Sequence, residues 1–371
     1  MNRTSSRPET ELTDSVAPAT ARPGARFVQG SALDRAIAAA RNALSAGQSE
    51  QGYWLFELEA DGTIPAEYVL MLHFLGEPDR PLERKLAAYL RSRQAAHGGW
   101  PLYHGGDFNL SCSVKAYYAL KICGDDPEAP HMVRARKAIL AGGGAARANV
   151  FTRITLALFG QVPWRAVPYI PVEIMLLPRW FPFHLDKVSY WSRTVMVPLF
   201  ILCTKRPRAQ NPRQVGIEEL FVTPPDLEQH YFVVPSGPAG RLARAFLLLD
   251  RCFRRLDPLI PQALRRRATA RAEAWTLERL NGEGGLGAIF PAMVNALEAF
   301  AVLGYPSNDP RRVIAKRALQ KLLVVEEESA YCQPCVSPIW DSALAALAMQ
   351  EEGGVEAVAG AERALDRKSV V

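Results

Sequence analysis

The chain has 371 residues, of which 49% are hydrophobic, and it carries a formal net charge of +6. This length can hold two domains with ample apolar cores, and no apolar run reaches the roughly 20 residues that a membrane-spanning helix requires. The charge would suit nucleic acid or anionic lipid, but the arginines follow no nucleic-acid-binding motif, so we expect lipid as a partner and no nucleic acid.

The first thirty residues are polar and lack the apolar core of a signal peptide, and residues 1–25 have the composition of a disordered segment. We therefore expect a protein of the cytoplasm or of the cytoplasmic membrane face, where its six cysteines would be reduced thiols. Only Cys332 and Cys335 have the spacing of a metal or redox pair, which is a weak signal without a second pair. The sequence predicts no metal site.

A repeated pattern of helix, glycine and tryptophan organises the first hundred residues. A predicted helix from about Ala32 to Ser45 leads through Gln48 to Gly52 and Trp54, and the stretch from Lys85 to Trp100 has the same order of features. A spacing of about fifty residues suits a pair of helices per unit. We expect the glutamine to cap helix carbonyls or to bond the amide end of the next helix, with the tryptophan stacked over it.

A weakened copy of the pattern follows at Trp275 to Leu286, where Asn281, Gly285 and Leu286 replace the glutamine, glycine and tryptophan. Strand signals are few and helical stripes are many along the rest of the chain, including a predicted helix from Ala315 to Val325. The fold class predicted from these patterns is all-α.

Two segments between these blocks carry candidate functional residues. Glu67 lies near the first turn of a predicted helix that begins at about Ala66, where a carboxylate can satisfy the exposed amides. The segment from Val162 to Phe183 is too rich in proline for regular structure and too apolar for a free linker. We expect this segment to be packed against a core or to line a cavity.

An amphipathic helix is predicted downstream from an apolar stripe that arginines border. Such a helix can lie in the headgroup layer of a membrane, although an amphipathic core helix is the commoner case and stays open as the alternative. The stripe consists of Leu242, Phe246, Leu249, Phe253 and Leu256.

Several blocks of the chain resemble the terpene cyclase/mutase family that includes squalene-hopene cyclase. The resemblance runs from about Phe27 to Leu365 and rests on the Gln-Trp pattern and on four further blocks. These blocks are Phe-Thr-Arg at 151–153, Pro-Trp-Arg-Ala-Val-Pro at 163–168, Pro-Val-Glu-Ile-Met-Leu-Leu-Pro at 171–178 and Tyr-Trp-Ser-Arg-Thr at 190–194.

The resemblance implies an α/α-barrel fold, a terpenoid cyclase toroid with Gln-Trp repeats, with one barrel nearly complete and the second truncated. Residues 26–270 would form the first barrel, with helix 32–45 able to dock on the other barrel. Residues 271–365 would begin the second, catalytic barrel, and residues 366–371 would be a non-native tail.

The resemblance also implies a substrate, a location and a set of cavity residues. The substrate would be squalene or a similar polyprenyl hydrocarbon, cyclised by proton transfer to hopene or hopanol without a cofactor. The enzyme would lie on the cytoplasmic face of the inner membrane through the stripe at 242–256, and a homodimer stays open. The cavity residues carried over are Trp191, Trp340, Phe290, Pro291, Glu67 and Arg153; for Trp191 the alternative is a buried core residue.

The general acid of this family lies in an Asp-x-Asp-Asp motif, and the 371 residues contain no such motif. They also contain no Asp-Asp-x-x-Asp motif of the kind that binds magnesium and a diphosphate. We therefore expect the chain to be the amino-terminal portion of a cyclase and to be inactive alone, with no catalytic residue of its own. The alternative is a non-catalytic α/α-barrel that binds a prenyl lipid or a partner at a membrane.

Overall fold

The structure is a computed structural model in which residues 31–234 and 236–365 are described. Within these ranges the regular structure is helical apart from one hairpin, which confirms the all-α prediction, and long segments such as 159–189 and 206–234 contain only short helical turns. The helices are α1 Ala32–Ala46, α2 Thr63–Leu75, α3 Arg80–Ser92, α4 Leu110–Cys123, α5 Pro130–Ala141, α6 Val150–Leu158, α7 Tyr190–Lys205, α8 Pro238–Leu256, α9 Gln262–Leu277, α10 Phe290–Val302, α11 Pro310–Gln320, α12 Pro338–Glu352 and α13 Val355–Leu365.

The described chain divides into two compact units. Unit 1 contains residues 31–55 and 338–365, and unit 2 contains residues 56–337. The predicted disorder at residues 1–25 and the predicted tail at 366–371 lie outside the described residues. The proposed barrels and their boundary at residue 270 stay a prediction.

Unit 1 is a cluster of three helices, in which α1 packs against α12 and α13. The helix α1 begins at a capping box, since the Ser31 hydroxyl accepts a hydrogen bond from the Asp34 amide and the Asp34 carboxylate accepts one from the Ser31 amide. Trp54 is fully buried among small and flexible side chains of α12 and α13. The predicted first helix is confirmed.

Unit 2 has an interior built from helices that are apolar on nearly every side. Ten residues of α2 and ten of α4 are buried, as expected for helices inside a larger domain rather than on its surface. The helix α2 packs against α4 and α10, and α10 packs against α7. These four helices position the cavity described below.

The block that ends at Trp100 ties three segments of unit 2 together. The Gln94 amide nitrogen donates to the carbonyl oxygens of Gly98, at 2.7 Å, and of His131, at 2.8 Å. The Trp100 indole nitrogen donates to the Leu90 carbonyl in the last turn of α3 at 2.7 Å. The tryptophan, and not the glutamine, therefore satisfies a carbonyl at the helix end, which corrects the expected division of roles.

The block that ends at Trp54 makes the same contacts within unit 1. The Gln48 amide nitrogen donates to the carbonyls of Gly52 and Gly360, each at 2.8 Å, and the Trp54 indole donates to the Leu44 carbonyl at 2.7 Å. Gly52 and Gly98 both have a φ of +88°, and a Cβ at either position would lie within 3 Å of a backbone carbonyl oxygen. Only glycine fits this approach without strain.

The predicted helix from Ala315 to Val325 is wrong over its last five residues. The helix α11 ends at Gln320, and strand β1, Leu323–Val325, pairs antiparallel with strand β2, Ala330–Cys332. The valines at 324 and 325 favour the extended conformation, and the hairpin pairs their backbone groups. In the described part of the chain, no helix combines the length and the apolar content needed to cross a membrane.

Candidate functional site: a cavity inside unit 2

A cavity of about 350 Å³ lies in unit 2 between α2, α4, α6, α7 and α10. Most of its wall is apolar, which is typical of small-molecule sites with a few placed polar groups. The apolar lining residues are Ile64, Leu70, Met71, Phe151, Ile154, Leu158, Phe159, Val195, Leu199, Pro291 and Val294.

The polar part of the wall contains an ion pair between Glu67 and Lys115. The Lys115 ammonium nitrogen lies 2.5 Å from Glu67 Oε1, and the lysine side chain is only 5% exposed. The Glu67 carboxylate does not cap α2, which begins after Gly62 without a side-chain cap. Because each charge neutralises the other, the pair can be buried at a tolerable desolvation cost.

Glu298 is the third ionisable group on the cavity wall. Its side chain is 7% exposed, and no hydrogen bond or ion pair reaches its carboxyl group from the described residues. Burial and, second, the negative charge of Glu67 raise the pKa of Glu298 to about 8. The Glu298 carboxyl group is therefore neutral at pH 7.

Two asparagines on the wall are held by hydrogen bonds to the backbone. Asn149 caps α6, where its side-chain oxygen accepts a hydrogen bond from the Thr152 amide at 2.9 Å. The Asn295 side chain donates to the Val195 carbonyl on α7 at 3.2 Å. The side chains of these two asparagines are thus preorganised by contacts that do not depend on a ligand.

The cavity brings together only some of the residues predicted from the sequence. Glu67 and Pro291 line it. Phe290 is fully buried and stacks against Tyr68, with the ring centroids 6.3 Å apart. Arg153 is also buried, donates to the Tyr231 carbonyl and lies 4.8 Å from the centre of the Phe232 ring.

The two tryptophans carried over from the family lie elsewhere. Trp191, at the start of α7, is 56% exposed and packs edge to face against Tyr190, so it is not the buried core residue of the alternative interpretation. Trp340 lies in unit 1 on α12 and is 70% exposed. A substrate-contacting role stays a prediction for all six residues carried over from the family, which are Trp191, Trp340, Phe290, Pro291, Glu67 and Arg153.

The helix α8 displays the predicted apolar stripe at the surface. Each of the five stripe residues is about half exposed or more, from 47% at Leu249 to 61% at Leu242. Phe253 stacks on Tyr169 at 6.4 Å. Asp250 accepts a hydrogen bond from the Tyr169 amide and pairs with Arg254 at 2.6 Å. The stripe is not part of the core of the described chain, so its side chains are free to contact a membrane, and that contact stays a prediction.

The Cys332 and Cys335 pair has no metal-binding surroundings. Within residues 31–234 and 236–365, no three His, Cys, Asp or Glu side chains form a group that could hold a metal ion. Burial raises the pKa of the Cys332 thiol, which keeps it protonated and unreactive. Cys332 belongs to strand β2, where its side chain is fully buried.

The sequence interpretation missed Lys115 and Glu298, although both leave a signal. Glu298 is the one charged residue in the thirteen residues of α10, and Lys115 lies in an otherwise uncharged stretch of α4. A single charge in an apolar helix indicates a buried polar contact, because an unpaired buried charge is costly. Sequence spacing alone does not show that the two helices meet at one cavity.

These features define a class: an all-α protein whose interior helices enclose a largely apolar cavity with a small polar wall. The family described as the squalene-hopene cyclase N-terminal domain matches residues 37–328. The chain belongs to the squalene-hopene cyclase family.

Among the relatives, a squalene-hopene cyclase from Bradyrhizobium diazoefficiens is 52% identical over 337 residues, which are 90% of this chain and 51% of the relative. A squalene-hopene cyclase from Zymomonas mobilis is 51% identical over 89% of this chain and 50% of its own length. The squalene-hopene cyclase of Alicyclobacillus acidocaldarius is 34% identical over 86% of this chain and 49% of its own length. The chain therefore spans about half the length of the curated relatives it matches.

Proposed function

We propose that the chain is the amino-terminal part of a triterpene cyclase that converts squalene, or a similar polyprenyl hydrocarbon, to hopene or hopanol. The observation that carries the proposal is the identity of about half of all residues with squalene-hopene cyclases over nine-tenths of the chain. The largely apolar cavity supports it, because a hydrocarbon substrate requires walls that exclude water.

The chemistry of the cavity fits one part of such a reaction. Aromatic faces stabilise passing carbocations by roughly 0.5 to 2 kcal/mol per contact, and Phe151 and Phe159 lie on the wall. Initiation needs an acid strong enough to protonate an alkene. Glu298 is the opposite, because its raised pKa makes it a weaker acid than an ordinary carboxyl group.

The size of the cavity also points to a contribution from further chain. An apolar cavity of about 150 Å³ holds benzene, so 350 Å³ accommodates roughly ten carbon atoms and only part of a triterpene. We therefore propose that the remaining wall and the general acid belong to a carboxy-terminal half like that of the relatives. The chain of 371 residues alone should form no hopene from squalene.

We further propose that the protein works at the cytoplasmic face of the inner membrane and takes its hydrocarbon from lipid through the surface around α8. The exposed stripe of α8 supports this, since its apolar face can enter the headgroup layer while neighbouring arginines meet anionic lipid. A homodimer stays a prediction without a supporting contact.

The experiment joins residues 1–365 of this chain to the carboxy-terminal half of the Bradyrhizobium relative. The same relative, cut and rejoined at the matching position, is the control. The purified chimera should convert squalene to hopene, while the 371-residue chain should not. A folded chimera that binds membranes but yields no hopene would contradict the proposal and favour a non-catalytic lipid-binding barrel.

A further inference from the structure

Glu298 is a buried carboxyl group with no partner at the edge of a cavity. Its helix packs against α2, α7 and α11, and the charged groups that line the cavity with it are Glu67 and Lys115. Those two are already paired with each other at 2.5 Å. Glu298 is therefore an ionisable group of this wall whose carboxyl group makes no hydrogen bond or ion pair with the described residues.

A neutral carboxyl group has two complementary hydrogen-bonding functions. Its O–H group donates and its carbonyl oxygen accepts. An alcohol offers the matching pair, because its hydroxyl group accepts from the O–H group and donates to the carbonyl oxygen. An ether can use only the first of these contacts, and a hydrocarbon can use neither. Leaving a buried polar group without a partner costs free energy, so an alcohol gains where a hydrocarbon does not.

We propose that the cavity binds an aliphatic alcohol of roughly ten carbon atoms, with its hydroxyl group on the Glu298 carboxyl group and its chain against the apolar wall. The wall of Ile64, Leu70, Met71 and Val294 suits a branched isoprenoid skeleton. The inference concerns binding to the cavity and does not depend on the cyclisation proposed above.

The experiment measures binding of three volatile probes to the 371-residue protein by headspace gas chromatography at pH 6. The probes are 3,7-dimethyloctan-1-ol, its methyl ether and the hydrocarbon 2,6-dimethyloctane, which share one carbon skeleton. Replacing Glu298 by Leu should lower the ratio of alcohol affinity to hydrocarbon affinity by about tenfold, since one or two hydrogen bonds are lost. The ether should show a smaller change.

The variant Glu298→Gln is the matched control, because an amide keeps a donor and an acceptor but does not titrate. It should retain the preference for the alcohol at both pH 6 and pH 10. In the unsubstituted protein at pH 10, where Glu298 is ionised and its O–H group is gone, the ether should lose its hydrogen bond, while the alcohol should keep one by donating to the carboxylate. An unchanged affinity ratio in Glu298→Leu, or no binding of the alcohol to the unsubstituted protein, would overturn the proposal.

Discussion

The indole nitrogen of Trp100 donates a hydrogen bond to the carbonyl oxygen of Leu90 at 2.7 Å. The tryptophan thereby closes the last turn of α3 from a position ten residues further along the chain. The backbone amide of Trp100 donates a second hydrogen bond, to the Ser113 hydroxyl, at 2.9 Å. Trp100 therefore connects the end of α3 to the start of α4, with its indole bonded to one helix and its backbone amide to the other.

Replacing Trp100 by Phe tests this contact. The variant keeps an aromatic ring but loses the indole N–H group and some buried volume, so we expect the free energy of unfolding to fall by about 2 kcal/mol. Urea unfolding followed by circular dichroism measures the change. The matched control is Trp180→Phe, because Trp180 is 78% exposed and should change stability by less than about 0.5 kcal/mol. Equal effects of the two substitutions would contradict the assigned role.

The pKa of Glu298 predicts how stability depends on pH. The folded chain keeps this proton up to about pH 8, whereas the unfolded chain loses it near the ordinary glutamate pKa. Between these values the folded state binds one more proton, so this group lowers the free energy of unfolding by about 1.4 kcal/mol for each unit of rising pH.

The variant Glu298→Gln should therefore be increasingly more stable than the unsubstituted protein between pH 5 and pH 8. Urea unfolding at each pH gives the difference in free energy of unfolding between the two proteins. The contributions of the other titrating groups largely cancel in this difference. Glu278, whose side chain is 67% exposed, provides the control for the exchange of a carboxyl group for an amide, as the variant Glu278→Gln. A constant difference for Glu298→Gln would show that Glu298 is ionised in the folded state.

The exposed stripe of α8 predicts membrane binding. Phe246 and Phe253 are each 51% exposed, and inserting them into a bilayer removes apolar surface from water. Replacing both by Asp should lower partitioning onto vesicles that contain anionic lipid by at least tenfold, as sedimentation would measure. The double variant Val313→Asp and Val325→Asp alters exposed side chains on α11 and β1 and should partition normally. Unchanged sedimentation of the α8 variant would exclude this surface as the membrane contact.

Local features of the chain were predictable from the sequence because they depend on neighbouring residues. The stripe of α1 and the glycine that follows predict its end at Ala46 to within a residue, and the burial of Trp54 and Trp100 follows from their place after a helix stop. The stripe of α8 likewise predicts the helix and its apolar face. In each case the residues that predict the feature lie within about twenty residues of it in sequence.

The cavity was not predictable in the same way, because its wall comes from helices far apart in sequence. The sequence around Glu67 predicts a carboxylate near a helix start. Its actual partner, Lys115, is 48 residues away in sequence, so the ion pair leaves no local signal. The strand at Leu323–Val325 was missed for a similar reason, since the extended conformation that its valines favour becomes a strand only through pairing with Ala330–Cys332.

If the proposed function holds, the cavity of unit 2 forms part of the polyene site. Val294 lines the cavity on α10, and replacing it by Trp in the chimera with the Bradyrhizobium carboxy-terminal half would fill part of that space. The exposed Val313→Trp, on α11, is the control, and thermal unfolding of both variants confirms that they fold. We predict at least a tenfold loss of hopene formation for Val294→Trp and little change for Val313→Trp. Equal hopene formation by the two folded variants would contradict the account.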